Sequence, residues 1–316
     1  MLRSLPDEIR RVFDRYVTTE YVTMGAGDQP IVWPVTPYVG AGGTCLDVCT
    51  GLGYPKKARD AQSNPRVALL FSDPTGSGLD DAPAVLVQGT AIVDDEDLDA
   101  NRERYERESL AKLPATKKLM PPKPLRRYFT WYFARIYVHV RPERVFAWPR
   151  GDVTADPEIF LADKAEVRSG HSEAPPVPHP APQGGSTAWH ERLDDIEEGV
   201  IAIESPDGWP FAFRVPLSAD GVAGELRLGR EPMGAPLQPG LACLTVHRHA
   251  PDFSWQVNFQ ARGDLSEDER GWLFRPHRVI EGMELPPTSA LERYRRNWSK
   301  MQRFRRTAKR ELAERR

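Results

Sequence analysis

Residues 30–35 read PIVWPV, and residues 210–215 repeat that pattern as PFAFRV. Three more short matches follow in the same order along the chain. They are PRVALL at 65–70 with PGLACL at 239–244, Gln88 with Gln260 inside apolar segments, and RPERV at 141–145 with RPHRV at 275–279. Four matches in one order predict a duplicated domain. Because the spacing shortens before the last match, the second copy is predicted to lack the helical insertion near residues 95–130.

Short strands dominate the first copy. An amphipathic helix is predicted at Leu5–Tyr16, and shorter helices near Pro55–Gln62 and Glu96–Lys112. The predicted strands are Val17–Met24, Ile31–Val39, Thr44–Cys49, Val67–Phe71, Val85–Val93, Tyr132–Val140 and Arg144–Trp148. Many strands with few helices favour a closed or nearly closed antiparallel barrel over a parallel doubly wound sheet. The predicted fold is mainly β with helices (α+β), as two barrels in tandem plus a C-terminal helix.

A proline-rich segment divides the chain. Residues 171–185 read HSEAPPVPHPAPQGG, which is typical of an extended, semi-rigid linker. The sequence therefore predicts a first domain at 1–165, a linker at 166–188, a second domain at 189–288 and a C-terminal helix at 289–316.

Composition excludes several classes of protein. The 316 residues carry 43 Lys+Arg against 45 Asp+Glu, so the chain as a whole does not coat nucleic acid. Three cysteines imply no disulfide framework. No segment has the apolar character of a signal peptide or a membrane helix, which predicts a cytoplasmic protein with no membrane partner.

Sequence motifs exclude further chemistry. The chain has no Gly-x-Ser-x-Gly, Walker, His-Glu-x-x-His or dinucleotide-binding motif. Cys45 and Cys49 share a strand face but have no second pair of cysteines. His247 and His249 alternate on a strand, with no carboxylate or third histidine at useful spacing. No metal site is predicted.

Taken together, the motifs of the first copy resemble those of the flavin split-barrel superfamily, which includes pyridoxamine-phosphate-oxidase-like proteins and flavin/deazaflavin oxidoreductases. The resemblance covers residues 5–150 and, more faintly, 195–285. The motifs that carry it are Thr50, KKAR at 56–59, NPRV at 64–67, QGTA at 88–91, and PERV at 142–145 followed by Trp148. It implies two split β-barrels in tandem, with the cofactor bound in the first.

A basic cluster is the candidate phosphate site. Lys56, Lys57 and Arg59 stand at the start of a short predicted helix, where two ammonium groups, a guanidinium and the helix N-terminus would attract a phosphate. A solvated helix face is the alternative. In the second copy, the corresponding segment GREPMGAP offers only Arg230. One functional site per chain is therefore predicted.

Other residues are assigned to the cofactor ring. The resemblance implies that Trp33, Val35 and Thr36 line an isoalloxazine, with Thr50 and Gly51 beneath it. Two prolines in that strand also suit a protected sheet edge. Gln88 lies in an apolar strand, where its amide would bond either the flavin pyrimidine or a neighbouring loop. Tyr54 and Trp148 are predicted to line the substrate side.

The resemblance implies an FMN-dependent oxidoreductase that transfers hydride to or from a small organic substrate. The deazaflavin coenzyme is the alternative cofactor and haem a weaker one, while a non-catalytic binding protein is the alternative function. No catalytic residue is assigned. The two barrels are expected to form an intramolecular pseudo-dimer, or the chain a homodimer.

The C-terminal segment, Leu291–Arg316, carries eleven basic residues against three glutamates. Apolar residues recur at helical spacing, at Leu291, Tyr294, Trp298, Met301, Ala308 and Leu312. Such a stripe is expected to pack on the body of the protein or on another subunit. Binding to nucleic acid or an anionic membrane surface is the alternative.

Overall fold

The computed structural model describes residues 1–118, 120–162, 196–220, 224–282, 285 and 288–315. The linker predicted at 166–188 lies outside these residues, and the domain boundaries stay predictions. The described chain is mainly β with helices, as predicted. It forms a curled eight-stranded sheet and a closed six-stranded barrel, which are called here the first sheet and the second barrel.

The first sheet is antiparallel, with strand order β2-β1-β5-β6-β7-β4-β3 and with β8 paired to β7. Its strands are β1 (Thr19–Met24), β2 (Pro30–Val35), β3 (Tyr38–Val39), β4 (Leu46–Gly51), β5 (Arg66–Phe71), β6 (Ala84–Asp94), β7 (Arg135–Trp148) and β8 (Glu158–Leu161). The predicted strand at 31–39 is interrupted at Thr36–Pro37, because proline has no amide to donate. Pro34 is accommodated because β2 lies at the end of the strand order.

The second barrel has strand order β10-β11-β14-β13-β12-β9 and closes on itself. Its strands are β9 (Glu198–Glu204), β10 (Pro210–Ala219), β11 (Leu226–Leu228), β12 (Gly240–His249), β13 (Gln256–Asp268) and β14 (Gly271–Glu281). Because the sheet closes, none of these six described strands lies at an open sheet edge.

Six α-helices occur in the described residues: α1 (Asp7–Arg15), α2 (Lys56–Ser63), α3 (Leu98–Lys112), α4 (Lys123–Arg126), α5 (Thr130–Phe133) and α6 (Ala290–Glu314). The predicted helices at 5–16, 55–62 and 96–112 are confirmed as α1, α2 and α3. α1 buries Ile9, Val12 and Phe13 on one face. None of the helices that the structure describes is long and apolar enough to span a bilayer.

The two sheets share one hydrophobic core. Buried residues of the first sheet, including Val32, Leu70 and Trp148, pack in the same cluster as Phe211 and Leu244 of the second barrel. Two buried glutamines bridge the halves: the Gln88 amide donates to the Pro210 carbonyl (2.9 Å), and the Gln260 amide to the Val32 carbonyl (2.8 Å). Each half thus supplies a buried amide that satisfies the backbone of the other.

Equivalent β-bulges mark the two copies. The β6–β7 register shifts between Gln88 and Gly89, and the β13–β14 register shifts between Arg262 and Gly263. At each bulge the proline of the Arg-Pro motif lies opposite the glycine. The extra residue of the bulge lets the strand pairing continue although proline has no amide hydrogen to donate. This explains why β7 continues through Pro142 where the sequence predicted two separate strands.

The bulges also change the alignment of the copies. Gln88 pairs with Arg144, whereas the residue that pairs with Arg278 of the second copy is Arg262. When the two copies are aligned on their bulges, Gln88 therefore corresponds to Arg262. Gln260 lies two residues before Arg262, on the same face of the strand.

Helix α6 joins the second barrel to the first sheet. Near its middle, Lys300 donates to the Gly282 carbonyl (2.8 Å) beyond β14. Farther along, Met301, Ala308 and Leu312 pack against the core of the first sheet. This half of the predicted stripe therefore packs on the body, while Trp298 is 45% exposed. The side chains of Leu291 and Tyr294 lie outside those described.

The bulge glycines lead to a stability prediction. A Cβ atom at Gly89 would overlap the backbone carbonyl of Arg141, and one at Gly263 that of Arg275. A backbone oxygen cannot move aside as easily as a flexible side chain can. Gly89→Ala and Gly263→Ala should therefore each lower the free energy of unfolding by about 1–3 kcal/mol in urea denaturation. Gly229→Ala is the matched control, since its Cβ would lie 3.2 Å from the Pro216 side chain. Equal effects at all three glycines would contradict the bulge argument.

Candidate functional site

Lys57 is a partly buried cation at the start of α2. Its ammonium group lies 5.9 Å from the Trp33 ring centroid and 5.4 Å from that of Tyr54. Among the described residues, no carboxylate forms an ion pair with it. Burial, reinforced by the neighbouring Arg135 guanidinium, lowers the pKa of Lys57 to about 8. The ammonium is therefore protonated at neutral pH but lacks the counter-charge that a buried cation needs.

Arg135 is a second buried cation beside Lys57. It begins β7, pairs with Gly51 of β4, and is 5% exposed. Its guanidinium lies between the rings of Tyr105 (3.7 Å) and Tyr132 (4.2 Å). Nη1 lies 3.5 Å from the Tyr54 hydroxyl, and Nε has no hydrogen-bond partner in the described structure. Sequence reasoning missed this residue, although an arginine two positions after the aromatic run WYF was a signal.

We call Lys57 and Arg135 the cation pair. Like charges repel at close range, and burial weakens the solvation that offsets this. No carboxylate compensates either charge within the described ranges, and the orphaned Nε of Arg135 is a donor without an acceptor. An anion with several oxygen atoms, such as a phosphate, would satisfy both requirements. The arrangement therefore fits an anionic ligand.

The other two basic residues of α2 point elsewhere. Lys56 pairs with Asp60 one helical turn away (2.7 Å). Arg59 pairs with Asp95 (3.0 Å) and with Glu311 of α6. The three cations that the sequence grouped as a phosphate cluster are thus not brought together, because acidic side chains hold two of them.

The loop between β4 and α2 is fixed by backbone contacts. The Thr50 hydroxyl donates to the Tyr54 carbonyl (2.9 Å). A Cβ at Gly51 would lie 2.8 Å from the Trp131 carbonyl and from the Tyr54 ring, so glycine permits this close approach. On β2, Trp33 faces Lys57, and Val35 packs against the core of the first sheet. Thr36 follows β2 and is partly buried.

Helix α6 covers the same loop. Phe304 stacks on Trp131 with centroids 5.6 Å apart and meets the Tyr54 ring edge-on at 5.1 Å. A Cβ at Gly53 would lie 2.8 Å from the Phe304 side chain. The C-terminal helix therefore forms part of the structure behind Tyr54.

Gln88 and Trp148 lie apart from the cation pair, in the core between the sheets. Besides bonding Pro210, Gln88 accepts from Arg144 Nη1 (3.4 Å). Trp148 is 1% exposed, and its indole donates to the Met233 carbonyl (3.4 Å). It also lines a cleft of about 380 Å³ together with Phe213 of β10. The Gln88 amide nitrogen and the Trp148 indole therefore bond the second half of the chain, and their cofactor and substrate contacts stay predictions.

Two potential acid, base or nucleophile groups lie near the cation pair. Burial raises the pKa of Tyr54 to about 12, so the phenol keeps its proton at neutral pH and can donate a hydrogen bond. Burial also raises the pKa of the Cys49 thiol, which keeps it protonated and therefore weakly nucleophilic. Neither side chain is ionised at neutral pH, so neither supplies an activated nucleophile beside the cation pair.

The chain is similar to several solved structures. One is general stress protein 26 from Bacillus anthracis str. Sterne, at 17% identity and a TM-score of 0.34, covering 49% of this chain and 97% of that one. Another is a putative pyridoxamine 5'-phosphate oxidase from Listeria innocua, at 18% identity and a TM-score of 0.31, covering 45% and 95%. An F420 reductase has 16% identity and a TM-score of 0.32, covering 45% and 98%. No protein-family model and no curated protein matches the sequence.

The cation pair predicts pH-dependent anion binding. Because the pKa of Lys57 is about 8 without ligand, the affinity for an anion should be constant below that pH and fall above it. Calorimetric titration with sulfate, whose charge does not change in this range, should show a decrease approaching tenfold per pH unit above about pH 8. Lys57→Met should bind sulfate more weakly at pH 7 and remove this dependence. An affinity that is flat from pH 7 to 9.5 in the parent protein would contradict the assignment.

Proposed function

We propose that this chain is a cytoplasmic oxidoreductase of the pyridoxamine-phosphate-oxidase-like type, which binds FMN and transfers hydride to or from a small organic substrate. The observation that carries the proposal is the uncompensated cation pair at the junction of β4, α2 and β7. Two of the motifs that resemble the flavin split-barrel superfamily, Thr50 and KKAR at 56–59, belong to the elements of this junction. A phosphate is the anion that such motifs imply.

In this proposal, Lys57 and Arg135 hold the cofactor phosphate. Trp33 and Tyr54 flank Lys57 with aromatic surface, which suits a planar ring system. The protonated Tyr54 phenol would donate a hydrogen bond to a ligand oxygen or nitrogen. When bound, a flavin supplies the hydride chemistry, and the protein supplies binding, orientation and exclusion of water.

The proposal assigns one cofactor to each chain. The residue in the second copy that corresponds to the basic segment is Arg230, which is exposed. The second barrel then serves as the packing partner of the first sheet in an intramolecular pseudo-dimer, since the two share a core. The deazaflavin coenzyme also has a phosphate and a three-ring system, so it is the alternative cofactor.

Cofactor titration tests the proposal. An absorbance spectrum of the purified protein would separate FMN from deazaflavin and haem, and apo-protein should saturate with about one equivalent of the correct cofactor. Lys57→Ala should weaken FMN binding about 10- to 100-fold, because a hydrogen bond to a charged group contributes about 1.5–3 kcal/mol. Lys56→Ala is the matched control. It removes the same charge from the adjacent position, where the side chain is already paired with Asp60.

Riboflavin separates the ring from the phosphate. It lacks the phosphate, so its weak binding should be the same in the parent protein, Lys56→Ala and Lys57→Ala. Equal losses of FMN affinity in the two lysine variants would contradict the role of Lys57. Failure of both FMN and deazaflavin to bind the parent protein would overturn the proposed function.

A further inference from the structure

Four ionisable side chains meet where β1 and β5 of the first sheet face β12 of the second barrel. They are Glu20 on β1, Asp73 just after β5, and His247 and His249 on β12. His247 Nδ1 lies 3.8 Å from Asp73 Oδ2, and His249 Nε2 lies 3.6 Å from the same oxygen. Both histidine side chains are 3% exposed. Three groups able to bind a metal therefore converge at one buried point between the sheets.

The hydrogen bonds of His247 leave one ring nitrogen free. Nε2 lies 2.7 Å from Glu20 Oε1 and 3.1 Å from Arg214 Nη2. Because the carboxylate can only accept and its contact is the shorter one, Nε2 carries the proton and donates it to Glu20. Glu20 is held in turn by Arg214 Nη2 (2.8 Å) and by Ser72 (3.1 Å). Nδ1 has no partner in the described chain, although it is buried and faces Asp73. A carboxylate behind a histidine, with the far nitrogen open, is the arrangement that supports metal ligands.

In His249 the two ring nitrogens have the opposite roles from those in His247. Its Nδ1 donates to the Ala250 carbonyl (2.9 Å), which fixes the neutral tautomer with a lone pair on Nε2. In this tautomer the Thr18 hydroxyl donates a hydrogen bond to Nε2 (3.0 Å), which a metal ion bound at Nε2 would replace. The two histidines thus present Nδ1 and Nε2 lone pairs toward one carboxylate.

Asp73 has one oxygen available. Oδ1 accepts from the Thr75 amide (3.0 Å), which leaves Oδ2 toward the histidines. Ligands on a tetrahedral Zn²⁺ at about 2.1 Å lie about 3.4 Å apart. The observed 3.6 and 3.8 Å are close to that edge length.

A second group of metal-binding residues serves as an internal comparison. Cys45, Asp47 and His139 also lie within reach of one point. There, however, Asp47 Oδ1 accepts from His139 Nδ1 (2.8 Å) and from the Cys45 thiol (3.2 Å), and Oδ2 is paired with Arg104. Hydrogen bonds within that group occupy the atoms that a metal would need. The group at Asp73 differs because its histidines lie 3.6 and 3.8 Å from Asp73 Oδ2, beyond hydrogen-bond distance, and donate to groups outside the cluster.

We propose that Asp73, His247 and His249 bind a divalent transition-metal ion that links the first sheet to the second barrel. Two imidazoles with one carboxylate suit Zn²⁺ and its neighbours in the first transition row. Because the three ligands come from both halves of the chain, the ion stabilises the association of the halves. This site is separate from the cation pair and does not depend on the proposed function.

Metal titration of the full-length protein tests the proposal. After removal of metals with a chelator and dialysis, the protein should bind one equivalent of Zn²⁺, and Co²⁺ should report the coordination in its visible spectrum. Asp73→Asn, which keeps the side-chain shape, and His249→Ala should each weaken Zn²⁺ binding more than about 100-fold. His139→Gln is the matched control and should bind as the parent does. Lys57→Ala should also bind normally.

Thermal unfolding supplies an independent measurement. Zn²⁺ at about 100 times its Kd should raise the melting temperature of the parent by about 4 °C. Asp73→Asn and His249→Ala should show no such increase, with circular dichroism verifying that each is folded. The proposal is overturned if the parent binds no Zn²⁺, if both variants bind it as the parent does, or if only His139→Gln loses binding. If one of the two variants is unfolded, the other decides the outcome.

Discussion

Two buried glutamines that bond across the sheets define how the halves of this protein fit together. Gln88 reaches the backbone of β10, and Gln260 reaches the backbone of β2. A buried amide without partners is costly, and so is a buried carbonyl without a donor. Each bond removes both costs at once, but only when the sheets lie in one register. The shared apolar core supplies most of the burial, and these polar bonds make its geometry specific.

The periodicity of the sequence predicted most of the fold. Short β-rich segments between turn signals became strands, and the ordered repeats included the two Arg-Pro segments, where the structure shows bulges. The sequence did not predict the places where a proline or a glycine alters the hydrogen bonding between paired strands. The break after β2 and the continuation of β7 through Pro142 both depend on pairing with other strands. Pairing partners are a property of the tertiary structure, so local pattern alone does not contain them.

The functional residues were harder to predict, for electrostatic reasons. Lys56, Lys57 and Arg59 are indistinguishable as a basic run, and only the folded chain shows that acids hold two of them. One of those acids, Glu311, is on the last helix. Arg135 belongs to none of the sequence motifs. It stands out only in the folded chain, where no described carboxylate compensates its charge. The same limit applies to His247 and His249, whose carboxylates lie in the other half of the sequence.

The position of α6 has a consequence for how the protein is made. Phe304 stands behind Tyr54, and Arg315 near the end of the helix is bonded to Asp95 (2.6 Å) beside the first sheet. During synthesis, the first sheet and its loop emerge from the ribosome long before these residues do. The nascent first half therefore keeps the back of its loop uncovered until Phe304 and Arg315 have been synthesised. This loop is thus completed only after the whole second barrel has been made.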